Sequence, residues 1–182
     1  MVDSNNLSDS SVRKMVYAAL FASMTAVGAY ISVPVGVVPL TLQTLFVILA
    51  GAVLGARWGM LSMLIYVLLG IVGLPVFSGG SSGLGVLVGP TGGYIIGFIL
   101  AALVIGYLFE KFQNRSIAGM VAIFLVGMIA IYVPGYFQLM YVASLGVQEA
   151  FVLGVAPFIP GAIIKIAAAT IIYRYLKTES LV

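Results

Sequence analysis

The sequence predicts an all-α integral membrane protein of six transmembrane helices. Three observations carry that prediction. The chain is 63% hydrophobic and 7% charged, whereas a soluble domain carries roughly a quarter charged residues. Its apolar stretches recur at close to the length that spans hydrocarbon, about 20 residues each. Its basic residues fall almost entirely on one side of those stretches, as the bias of cytoplasmic loops toward Lys and Arg requires. The 182 residues are expected to form one transmembrane domain over 1–182.

The start, MVDSNNLSDSS, is polar and acidic, and the apolar run after Lys14 is too long for a signal-peptide core. It is therefore expected to persist as a first helix over 15–33, ended by Pro34. A short re-entry over 35–39 leads to a second span, 40–56, stopped by Arg57. The third, 59–72, is short and runs into a loop. The fourth covers 93–109 and ends at the charged cluster Glu110, Lys111 and Arg115. The fifth, 117–133, meets Pro134 and Gly135; the aromatic segment 136–144 either extends it past a kink or packs back as a separate piece. The sixth, 151–176, follows Gln148 and Glu149 and is interrupted by Pro157, Pro160 and Gly161.

With this count, Arg13, Lys14, Arg57, Lys111, Arg115, Arg174 and Lys177 share one side, which becomes cytoplasmic together with both termini. The irregular backbone collects on the other side. Its centre is the run GLPVFSGGSSGLGVLVGPTGG, residues 73–93, where glycine and proline are too dense for a helix. Bent backbone leaves N–H and C=O groups unpaired, and at membrane depth these are tolerated only where protein buries them or they line a cavity. Leu74, Val76, Phe77, Leu84, Val86, Leu87 and Val88 make the loop too apolar to float in water. It is expected to fold back as an extracellular lid or cavity wall.

Lys165 breaks the charge sorting. It lies nine residues before Arg174, about 13 Å along a helix, too far for its stem to reach the basic surface. An ammonium inside the membrane needs a partner or water, and no Asp or Glu lies within a span. Either Lys165 snorkels outward past Pro160 and Gly161, or a ligand carboxylate supplies the missing anion; the second reading is preferred. Thr41, Gln43, Thr44, Tyr66, Tyr94 and Gln138 are further polar groups at depth. Gln43 and Gln138 offer donors and acceptors suited to an amide or ureido group, although interhelical hydrogen bonds explain such residues equally well. Phe77, Tyr94, Tyr132 and Tyr136 can wall an apolar slot or sit in the interfacial belt, where Trp58 is also expected.

Several functions are excluded or disfavoured. No G-x-x-x-x-G-K-S/T motif is present for ATP hydrolysis, no intramembrane carboxylate or histidine can relay protons, and neither His nor Cys is available as a metal ligand or base. An energised process therefore needs a partner. Ala18, Ala22 and Ala26 recur every four residues on helix one, with Ala19, Ser23 and Gly28 broadening a strip of small residues. Such a strip admits another helix closely, within the bundle or from a second protein.

The run Gly73–Phe98 (GLPVFSGGSSGLGVLVGPTGGYIIGF), with PLTLQT at 39–44, the alanine strip, and PFIPG separated by three residues from Lys165, resembles the BioY family. These are the biotin-specific substrate-binding (S) components of energy-coupling factor (ECF) transporters. The resemblance covers nearly the whole chain. It implies a six-helix S-component bundle that binds biotin from outside, without enzymatic activity, cofactor or nucleic-acid partner. It also implies a transmembrane coupling subunit, contacted by Ala18, Ala22 and Ala26, and two ATPase subunits. On this reading the biotin carboxylate meets Lys165. The rings lie under the lid between Phe77 and Tyr94, with Tyr136 nearby, and Gln43, Thr41 and backbone at Gly73, Gly79, Gly80 and Gly83 make further contacts. The family pattern usually has Asp after the glycine of PFIPG, where this chain has Ala162, which leaves Lys165 more dependent on a ligand anion. It often has Trp where Gln138 stands. An S component for another vitamin, or a homo-oligomeric channel, would use the same spans; a ligand retained through purification separates a binding subunit from a channel.

Overall fold

The computed structural model describes residues 4–113 and 116–179. Arg115, assigned above to the basic side, lies outside the described residues, as do 1–3. The chain forms α1 (Ser4–Tyr30), a two-residue antiparallel ladder of β1 (Ser32–Val33) and β2 (Leu40–Thr41), and α2 (Gln43–Ile71). After the glycine-rich loop come α3 (Leu84–Val88), α4 (Gly92–Lys111), α5 (Ile117–Val142), α6 (Val147–Gly154) and α7 (Ile159–Thr178). Four of these stretches, Gln43–Ile71, Gly92–Lys111, Ile117–Val142 and Val147–Thr178, are long and apolar enough to cross a membrane.

α2 is two helices joined back to back. Gly55 adopts φ 79° and ψ −177°, a conformation open essentially to glycine alone, and the chain reverses there. Gln43 hydrogen-bonds Tyr66 although 23 residues separate them, which a continuous helix would place about 35 Å apart. A methyl added at Gly59 would lie 3.0 Å from Gly51 Cα, so the arms 43–54 and 56–71 pack closely. They match the expected second and third spans, and with α1, α4, α5 and α7 they complete the six long helices. The second arm is capped from outside itself: Glu110 Oε1 on α4 accepts a hydrogen bond from Ala56 N at 2.9 Å. Helix N-termini leave such donors free, and losing a cap acceptor costs about 1 kcal/mol. Glu110→Ala is accordingly expected to lower the thermal unfolding midpoint in detergent slightly, with no change in ligand affinity.

One expectation needs correcting. The 35–39 re-entry is the turn of the β1–β2 hairpin, paired Ser32 with Thr41 and Val33 with Leu40. Of the two courses open to the chain after 133, it takes the first: Pro134 lies inside α5, which continues to Val142. α4 supports it there, because Gly93 and Gly97 bring the two backbones together; a methyl at Gly97 would sit 2.7 Å from Ile131 Cα. The break in the last helix does occur where Pro157, Pro160 and Gly161 placed it, as a single 3₁₀ turn, Ala156–Phe158, between α6 and α7.

On α1 the alanine strip packs within the bundle, one of the two uses open to it. Ala18 and Ala22 are buried within the chain itself, each 1% exposed, and Ala26 is half-buried. Ser62 Oγ on α2 donates to Ala18 O at 2.7 Å, so this strip is the seam between α1 and the second arm of α2. The open small residues on α1 are Ala19 and Ser23, one position on and therefore about 100° around the helix.

Candidate functional site

A cavity of about 300 Å³ opens at the end of the bundle remote from Arg57, Lys111, Arg174 and Lys177. That volume is at the lower end of the usual range for small-molecule sites. Its polar wall comes from Thr41 on β2, Gln43 and Thr44 at the start of α2, and Lys165 on α7. Tyr94, Ile95 and Phe98 on α4, Ile131 and Tyr132 on α5, and Phe158 form the apolar wall. Phe158 stacks on Tyr132 at 6.2 Å and meets Tyr94 edge-on at 6.3 Å. Phe77, Ser78 and Ser81, followed by Gly85, Val86, Gly89 and Pro90, close the remaining side. The glycine-rich segment is thus a wall of the cavity, as its apolar content required.

Lys165 is 9% exposed. Its Nζ donates to Thr41 O at 2.6 Å and to Thr44 Oγ1 at 2.8 Å. Both acceptors are neutral, so the charge itself has no counter-ion in these contacts. An ammonium has three donors, and one remains for a further acceptor. From the same place a hydrogen-bond chain runs to the loop. Thr41 Oγ1 donates to Gln43 Oε1 at 2.9 Å, Gln43 Nε2 donates to the Tyr66 hydroxyl, and Tyr66 donates to Val76 O at 3.1 Å. Tyr66 and Phe77 are both fully buried and meet edge-on at 5.6 Å. Phe77 fits there because the position facing it is Gly70, where any side chain would overlap its ring. At the other end of the loop, Gln138 Nε2 donates to Leu87 O at 2.7 Å and Gly89 O at 2.8 Å. Tyr30 adds a hydroxyl bond to Pro75 O.

Of the residues singled out from the sequence, Lys165, Gln43, Thr41, Phe77 and Tyr94 come together around the cavity. Gly73, Gly79, Gly80, Gly83 and Tyr136 stand outside its wall. The glycines shape the loop instead: all four have positive φ, Gly80 N donates to Phe77 O at 3.0 Å, and Gly83 N donates to Gly70 O at 2.7 Å. Tyr136 is tied to Val147 O at 3.0 Å by its hydroxyl. Gln138 holds the loop from behind. Sequence reasoning missed Ser78, Ser81, Ile95, Phe98, Ile131 and Phe158. Phe98 was within reach, since it lies four residues after Tyr94 and shares its helix face; Phe158 was not, because a 3₁₀ turn between prolines has no periodicity to read.

The BioY family model matches residues 3–180. The chain belongs to the BioY family. It is 46% identical over 165 residues to a probable biotin transporter BioY of Pyrococcus horikoshii, covering 91% of this chain and 96% of that one. It is 44% identical over 166 residues to the biotin transporter BioY of Thermotoga maritima, with coverage of 91% and 96%. Among solved structures it is similar to the S-component for biotin from an ECF-type ABC transporter, with a TM-score of 0.87, 26% identity and 93% of both chains covered. The six long helices and roofed cavity therefore form the S-component fold of BioY proteins.

Proposed function

We propose that this chain is the biotin-binding subunit of an ECF-type vitamin uptake transporter. The observation that carries the reading is Lys165, a buried cation on the wall of an otherwise largely apolar cavity, with one N–H to spare. Biotin presents the complement: compact, partly apolar fused rings at one end and a carboxylate on a flexible tail at the other. The tail carboxylate meets Lys165, and the rings lie against Tyr94, Tyr132 and Phe158 beneath Phe77. With Ala at 162, the cation depends on that anion all the more.

The basic end of the bundle is cytoplasmic with both termini, so the cavity opens outward. The chain has no nucleotide-binding motif of its own, and membership of the family points to a coupling subunit and two ATPase subunits as the partners that energise uptake. The face of α1 available to the coupling subunit is the one carrying Ala19 and Ser23, where small residues let a second helix approach. Mass spectrometry of ligand released from detergent-purified protein tests the reading. Stoichiometric biotin is the expected result; a different vitamin, or a chain that neither retains nor binds biotin, overturns it.

A further inference from the structure

Among the described residues, Ser78 Oγ is the buried side-chain nitrogen or oxygen that has no hydrogen-bond partner. Buried polar groups are almost always paired, and an unpaired one in a native protein needs an explanation. The neighbouring groups are paired: Ser81 Oγ donates to Ser78 O at 2.8 Å, and Thr41, Gln43, Tyr66 and Lys165 form the connected chain above. Ser78 lines the cavity on the side formed by the loop, on a different element from Lys165.

Its position is set by the local backbone. Gly79 and Gly80 take φ 69° and 74°, left-handed values that glycine accepts at little cost. Phe77 N donates to Ser81 O and Gly80 N to Phe77 O, each at 3.0 Å. This tight turn fixes Ser78 immediately after the fully buried Phe77. Those bonds use the backbone and the Ser81 hydroxyl and leave the Ser78 hydroxyl over. We propose that Ser78 is a specificity-determining contact of the site, hydrogen-bonding the ureido ring of the bound ligand. A hydroxyl can donate to the ring carbonyl or accept from a ring N–H, so a cyclic urea matches it while a purely apolar ring leaves it unpaired. A site with a buried group awaiting its partner discriminates strongly against ligands that lack one.

This inference rests on the biotin reading and deepens it. The test is calorimetric titration of the full chain in detergent with biotin, with biotin amide, and with a thiophane valerate lacking the ureido ring. Ser78→Ala is expected to weaken biotin and biotin amide alike, each about tenfold, and to leave the ureido-free ligand unchanged; Ser78→Thr, which keeps the hydroxyl, restores affinity. Ser78→Cys reads the same loss should the alanine variant not fold. Unchanged biotin affinity in Ser78→Ala, an equal loss for the ureido-free ligand, or failure of Ser78→Thr to rescue overturns the assignment of Ser78 while leaving the biotin reading in place. A wild-type chain that ignores biotin removes both.

Discussion

Lys165→Ala is expected to weaken biotin by about a hundredfold or more, the usual scale for truncating one partner of a desolvated charge pair, while biotin amide changes little. The asymmetry is the point of the experiment. Lys165 is held by two neutral oxygens, Thr41 O and Thr44 Oγ1, so its charge is answered only when an anionic ligand arrives. An amide keeps the rings, the tail and their apolar contacts and lacks only the charge. The same logic fixes the effect on stability. An ammonium in the membrane interior costs free energy, so the empty alanine variant should unfold no earlier than the wild-type chain. Parallel titrations of both ligands, with thermal denaturation of the ligand-free forms, decide it; equal losses for acid and amide would refute the ion pair.

Gly106→Ala is expected to do the reverse, damaging the fold and sparing the site. Gly106 on α4 faces the reversal in α2, and an added methyl would overlap Ala56 N and the Gly55 carbonyl carbon. These are backbone atoms, fixed by the Gly55 conformation and by the Glu110 cap, so no side chain can turn aside. Overpacking against such a contact costs about 3 kcal/mol. The unfolding midpoint in detergent should fall clearly below that of Glu110→Ala. The fraction that remains folded should bind biotin normally, because the contact lies at the opposite end of the bundle from the cavity. An unchanged midpoint would mean that the reversal yields easily.

The sequence made the helices legible because hydrocarbon thickness leaves little choice of span length, and the charges gave their order of crossing. Lys165 and the glycine-rich run stood out because each is costly in a membrane without a specific use. What could not be read was which way a residue faces. Along spans apolar on every side, hydropathy carries no register, so the alanine strip suited the bundle or a second protein equally, and the structure shows Ala18 and Ala22 buried, with Ser62 bonded to Ala18 O. The loop glycines show a related limit. Composition shows that the backbone bends but not which residues the bend presents, and Gly79 and Gly80 turned out to supply the turn that places Ser78. Gly55, by contrast, accounts for the Arg57 boundary in retrospect, since a span that ends there needs a residue able to reverse.

That reversal has an electrical consequence. The arm 43–54 has no exposed residue and rises only about 18 Å, against about 30 Å of hydrocarbon, so its first turn begins well below the membrane surface beside Lys165. A helix start carries roughly half a positive charge, and here it adds to the full charge of the ammonium. Positive potential is therefore concentrated at this one wall of the cavity, and on the proposed reading the ligand's carboxylate offsets most of it.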